Sequence, residues 1–302
     1  MSAADMNTGS NIADLITAEA TKPVPGDVTA VAETVRRRFG PSVAAILAYG
    51  SCLRDVATDE SLIDLYVLLR DDRAISSNLV SRLACLMLPP NVYYAESTVG
   101  DRTLRTKYAV MTLGGFSENM RRPSLAPYFW ARFAQPCRVL YSADEACRST
   151  VFEALGNAAR TMFARCLEIA RPGDDVLSLF ERGLKASYAA ELRAERADRP
   201  RSIMLTNRAY YQELADRILG PGFRMQGAGR GGWGLRIFVG KCLSITRLLK
   251  AGFTFDGGAD YVAWKVARHS GEPIVLTPWQ RRHPILMAIT LLPRLLRKGA
   301  VR

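Results

Sequence analysis

Apolar and polar positions change their pattern near residue 143. Before it, apolar residues fall into short dense runs. Val43–Tyr49, closed by Gly50, has the length and density of a buried strand. Leu62–Leu69 reads as a second strand, and Asn91–Glu96 and Leu104–Thr112 as two more. Cys137–Tyr141 is a further strand candidate. A helix is expected over Val28–Phe39, stopped by Gly40-Pro41, and another over Ser124–Phe133. Beyond 143 the spacing is helical over Ala143–Ile169, Val176–Glu195, Ser202–Ile218 and Leu235–Lys250. The segment "GAGRGGWG" (Gly227–Gly234) reads as a flexible loop. No internal repeat is evident. The pattern predicts a loose N-terminus over 1–24, an α/β half over 25–142, a mostly helical half over 143–250 and a basic C-terminal segment over 251–302.

One residue interrupts the strand pattern. Asp64 sits in "LIDLYVLL", between Ile63 and Leu65. A carboxylate in a buried strand is unfavourable unless something pairs with it. Fourteen positions earlier, Gly50-Ser51 closes the preceding strand. A strand ending in Gly-Ser, a loop, and a strand carrying an acid resemble the start of the nucleotidyltransferase fold. Glycine lets the backbone approach a triphosphate, and the serine hydroxyl and nearby N–H groups donate to phosphate oxygens. The carboxylate holds Mg²⁺ against those phosphates. That fold usually carries two aspartates at i and i+2 on one strand face; Leu62 stands at the paired position here. Taken alone, the motif fits an ordinary turn and a structural carboxylate equally well.

Composition narrows the partners. The chain has 302 residues, 48% hydrophobic, with a net charge of +12. That supports a folded core and favours an anionic partner: nucleic acid, a lipid surface or a phosphorylated substrate. Six cysteines without a CxxC pair argue against a zinc site or a disulfide framework. No secretory signal is evident, and no apolar stretch approaches the roughly 20 residues that span a bilayer. No RNA-binding signature accompanies the basic charge. The tail has no acidic residue after Glu272. Its run "ILMAITLLPRLL" is flanked by arginines and sits near Trp279, a pattern that suits an anionic membrane interface or a docked core helix.

Further segments, in order, resemble the mitochondrial-type phosphatidate cytidylyltransferases, the translocator assembly and maintenance proteins. Their aspartate strand, like "SLIDLYVLL", carries a single acid. "NVYYAE" resembles their Val-Tyr-Tyr-Asn strand, and "LRTKYAVMT" their Leu-Ile-Lys-Tyr-Gly-Val. "WARFAQPCRVLY" is similar to their Ala-Gly-Arg-Leu-x-Lys-Pro-Val. "ASYAAELR" resembles Ser-Tyr-x-x-Asp-x-Arg, and "LLKAGFTFDGG" resembles Lys-Gly-Ile-Phe-Thr-Ala-Gly. Two departures stand out: Glu191 replaces an aspartate and Ala95 an asparagine.

The resemblance implies a nucleotidyltransferase-fold N-terminal domain and a helical C-terminal domain. It implies Mg²⁺-dependent transfer from CTP to phosphatidic acid, giving CDP-diacylglycerol and pyrophosphate, by a peripheral protein on the cytoplasmic face of the membrane. Asp64 and Glu191 would be the catalytic and metal-binding carboxylates. Gly50 and Ser51 would hold the CTP phosphates, with Lys107, Arg132 and Arg193 as phosphate cations. Nucleic acid is not expected as a partner. The attacking phosphate monoester needs no general base, since its second pKa is about 6; this suits a chain with two histidines, His269 and His283. Two other readings stay open: a nucleotidyltransferase with a different acceptor, and an inactive nucleotidyltransferase-like binding module.

Overall fold

The computed structural model describes residues 9–53, 62–121, 125–191, 199–254, 257–261, 263–264 and 276–282. The expected strands form one five-stranded sheet: β1 (Val43–Tyr49), β2 (Leu62–Leu69), β3 (Asn91–Val99), β4 (Arg102–Thr112) and β5 (Cys137–Ser142). Their order is β3-β4-β2-β1-β5. The sheet is mixed: β2 and β4 run parallel, and the other neighbours are antiparallel.

Strand alternation gives the sheet two apolar faces. Ile46, Ile63, Leu65, Val67, Tyr108 and Val110 point to one, where helix α2 (Gly26–Phe39) supplies Val28, Val31 and Val35. Ala45, Leu47, Tyr66, Leu68 and Met111 point to the other, and meet helices drawn from both halves of the chain. Those helices are α4 (Leu113–Asn119), α5 (Trp130–Phe133), α6 (Glu145–Leu167), α7 (Val176–Ala189), α8 (Arg199–Thr206) and α9 (Arg208–Leu219). One core therefore runs through the boundary expected near 142. Helix α10 (Trp233–Thr254) follows, and α3 (Leu79–Met87) lies between β2 and β3.

Three expectations need correction. Residues 9–20 are not loose: they form α1 (Gly9–Ala20), with Ile12, Ile16 and Ala20 in the core and Glu19 Oε1 accepting a 2.8 Å bond from buried Arg138. Burial of that small apolar stripe overrides a polar, weakly patterned sequence. The helix expected over Ser124–Phe133 shrinks to Trp130–Phe133. Pro127 lacks an N–H and biases Ala126 towards extended backbone. Ser202–Ile218 is two helices divided at Asn207, whose φ of −115° and ψ of 26° leave helical geometry.

Five cysteines are buried and Cys242 is exposed; all six are free thiols. Among the described residues no helix is long and apolar enough to cross a membrane. The expected interfacial run and its arginines from 283 onward, with His269 and His283, lie outside the described residues. Trp279 is exposed on a short helix, Pro278–Arg282.

Candidate active site

Register sets the site. Tyr49 pairs with Asp64, Asp64 with Lys107, and Lys107 with Tyr94, so four strands place these side chains in one row. By alternation the row shares the face of Tyr66 and Leu68, towards the helical half. Just beyond Tyr49 the chain turns at Gly50, where φ is +87°. A Cβ there would stand 3.8 Å from Asp64 Oδ2. Glycine thus both permits the left-handed turn and leaves space above the carboxylate. Ser51 opens the 3-10 turn Ser51–Leu53 and is exposed at the same mouth.

Lys107 Nζ lies 3.3 Å from Asp64 Oδ1. The carboxylate, more than any other group, raises the lysine pKa above its ordinary value, against the opposing effect of burial. Asp64 Oδ1 is itself buried and accepts no hydrogen bond. The ammonium therefore neutralises the carboxylate without saturating it. Tyr261 adds a ring 6.0 Å from Lys107 Nζ and packs 5.7 Å from the Tyr94 ring.

A second group of charges adjoins the row through Tyr49. Arg132, on α5, donates from Nη1 to the Tyr49 hydroxyl at 3.3 Å. Its guanidinium carbon lies 5.3 Å from the Tyr49 ring centre and 4.6 Å from that of Tyr128. Nη2 faces Glu191 Oε2 at 3.9 Å. Only 16% of the Arg132 side chain and 10% of the Glu191 side chain are exposed, so neither is a solvated surface charge. Burial opposes the charge of Arg132, but Tyr128, Tyr49, Tyr66 and Glu191 outweigh it and hold its pKa well above the ordinary value. The tight end of α7 delivers Glu191: Ala190 caps the helix and the Glu191 N–H donates to Tyr188 O. Lys185, on the same helix, pairs with Glu181 at 2.6 Å.

Arg247, on α10, completes the group and was not anticipated. Its guanidinium carbon is 4.4 Å from the Tyr128 ring centre, and its Nε donates to Pro89 O at 3.0 Å. Tyr128 thus carries two arginines on one ring, each within cation–π range. The phenol also accepts from the Tyr66 hydroxyl at 3.5 Å. Burial works against its ionisation, yet Arg132 and Tyr66 draw its pKa below the usual phenol value. Arg247 sits amid a helical run with no sequence motif around it. Helix α10 carries three further basic residues, Arg236, Lys241 and Lys250, so its sequence does not single Arg247 out.

The structure brings Gly50, Ser51, Asp64 and Lys107 to one mouth, and joins Arg132 and Glu191 to it through Tyr49. Arg193 lies outside the described residues. Tyr188 packs against the core, half-buried. Among the described residues no three His, Cys, Asp or Glu side chains gather as a metal cluster. A magnesium ion that draws its other ligands from water and substrate phosphates requires only one or two protein carboxylates. The buried, hydrogen-bond-free Oδ1 of Asp64 fits that demand. Among the described residues three cations, Lys107, Arg132 and Arg247, face two carboxylates, Asp64 and Glu191, an excess of positive charge that favours an anion. No protein-family model matches the chain, and no curated protein matches it in sequence.

Proposed function

We propose that this is a nucleotidyltransferase that moves a cytidylyl group from CTP to the phosphate of phosphatidic acid. The carrying observation is the lone Asp64 carboxylate beneath the Gly50 turn, with Lys107, Arg132 and Arg247 around it. A triphosphate and a phosphomonoester are both highly anionic, and a site rich in fixed cations brings them together against their mutual repulsion. A phosphate oxygen of the acceptor attacks the α-phosphorus of CTP. The bond from that phosphorus to the bridging oxygen breaks, and pyrophosphate leaves with its electron pair. No proton need be removed from the ionised acceptor.

Roles follow from position. Gly50 and Ser51 receive the triphosphate at the strand end. Asp64 would hold magnesium, which supplies charge neutralisation on the triphosphate and the leaving pyrophosphate. Lys107 neutralises Asp64 and is close enough to the Gly50 turn to donate to a phosphate oxygen as well. Arg132 and Arg247 receive the acceptor phosphate. Glu191, expected as a second metal ligand, is placed to orient Arg132. Peripheral residence at the membrane follows from the acceptor.

One observation favours a second reading. Leu62 leaves Asp64 without a second strand carboxylate, and Lys107 already balances its charge. A module that binds nucleotide without turnover would look the same. Pyrophosphate release, measured with each of the four nucleoside triphosphates, Mg²⁺ and phosphatidate vesicles, separates the two. Release that requires both CTP and phosphatidate supports the transferase. Nucleotide binding without release under any combination supports the module.

A further inference from the structure

Helices α3 and α10 touch each other and present apolar side chains to solvent. On α10, Phe238, Ile245 and Leu249 recur at i, i+7 and i+11, which is one stripe of a helix, with Leu248 beside it at 69% exposure. On α3, Leu83 and Met87 continue the surface; Met87 is 87% exposed. The opposite side of α10 is committed to the protein. Gly240 backs onto Ala190, where an added Cβ would lie 2.6 Å from its carbonyl oxygen. Arg247 reaches Tyr128 and Lys250 reaches the carbonyls of Leu88 and Pro90. One helix therefore has a face in the candidate site and a bare apolar face outside.

We propose that the joined outer faces of α3 and α10 form the surface that lies on an anionic membrane. Charge selects this occupant. Neither helix contains an aspartate or glutamate, and exposed Lys241 borders the apolar stripe of α10. The whole chain carries +12. A second copy would bring the same unbalanced positive charge against itself. A lipid surface supplies both the opposite charge and an apolar layer for the side chains. The proposal rests on the reading of the site as one that takes a lipid phosphate: docking through α10 would bring the bilayer to the element that carries Arg247.

The test uses the full chain and vesicles of phosphatidylcholine with or without phosphatidylglycerol, an anionic lipid that is not the proposed acceptor. The wild type is expected to co-sediment with the anionic vesicles, less so in high salt. The double variant Phe238→Glu, Leu249→Glu should lose about tenfold or more in vesicle affinity, because two apolar groups no longer enter the interface. Both positions are exposed, so its melting temperature should stay near that of the wild type. On a short-chain, water-soluble phosphatidate its turnover should be unchanged. Equal vesicle binding by the variant and wild type overturns the proposal, as does a wild type that ignores anionic vesicles. A wild-type dimer that the variant dissolves also overturns it and assigns the face to a second copy. Loss of vesicle binding with no cytidylyl transfer by any form leaves the docking surface standing and removes the proposed reaction. Transfer without the binding loss does the reverse.

Discussion

Asp64 Oδ1 and Lys107 Nζ stand 3.3 Å apart on neighbouring parallel strands, at paired positions of the register. This lysine is the partner that lets an apolar strand carry an aspartate. Each side chain is a quarter to a third exposed, so the pair is screened and contributes on the order of 1 kcal/mol rather than the large energy of a dry ion pair. Asp64→Asn should therefore melt within a few degrees of the wild type, yet lose cytidylyl transfer. Thermal unfolding and turnover on the same preparation check this. A folded variant with near-normal turnover would make Asp64 structural.

Gly50→Ala tests the turn above the carboxylate. At φ +87° an L side chain is strained by about 1–2 kcal/mol, and the new methyl group stands 3.8 Å from Asp64 Oδ2. Nucleotide affinity should fall more than stability does. Calorimetric titration with CTP and Mg²⁺, set beside a denaturant curve, gives both numbers.

Arg132 is stacked, buried and paired, so lysine is a poor substitute. Arg132→Lys keeps the charge but cannot stack on Tyr49 and Tyr128 while facing Glu191. A loss of about tenfold to a hundredfold in kcat/KM is expected, corresponding to about 1.4–2.8 kcal/mol. Arg247→Lys should behave alike if both receive the acceptor phosphate, raising the KM for phosphatidate while CTP affinity holds. A change in CTP affinity alone would move these arginines to the nucleotide side.

Lys250 gives a prediction about pH. Burial pushes its pKa from 10.5 down to about 8. The unfolded chain then holds the extra proton between these values, so unfolding becomes harder as pH rises through that window. The three acceptors around Nζ are Leu88 O, Pro90 O and Asn91 Oδ1, the last at 3.1 Å. Lys250→Met should abolish the rise between about pH 8 and 10.5 and leave buried carbonyls unpaired, at about 1–3 kcal/mol. Urea unfolding across this range measures the slope directly.

At the amino end, Ile16 is 3% exposed and packs in the core that joins sheet and helices. Ile16→Ala should destabilise by about 2–5 kcal/mol. A change below about 0.5 kcal/mol, the range of surface substitutions, would restore the loose terminus.

The strands were legible because each is a short apolar run bounded by turn residues. β1 and β2 begin and end where the pattern does, and β3 and β4 only extend it. α3 was missed although it carries a readable start: Asn78 accepts from the N–H groups of Val80 and Ser81. α4 begins likewise on Thr112, whose hydroxyl accepts from Gly115. α1 offered little, since its sequence is small and polar and its stability comes from distant partners. In the site, Asp64 and Gly50 stand out because each breaks a local pattern. Tyr128 and Arg132 are four residues apart in one short segment, but Arg247 reaches them from α10, far along the chain, and no spacing rule connects it to them.

Transfer of label from CTP carrying radioactive α-phosphorus into chloroform-soluble lipid, with phosphatidate vesicles and Mg²⁺, tests the central claim most directly. The wild type should produce labelled CDP-diacylglycerol and an equal amount of pyrophosphate, and Asp64→Asn should produce neither. No labelled lipid from folded wild type, or the same yield from both proteins, would contradict the assignment.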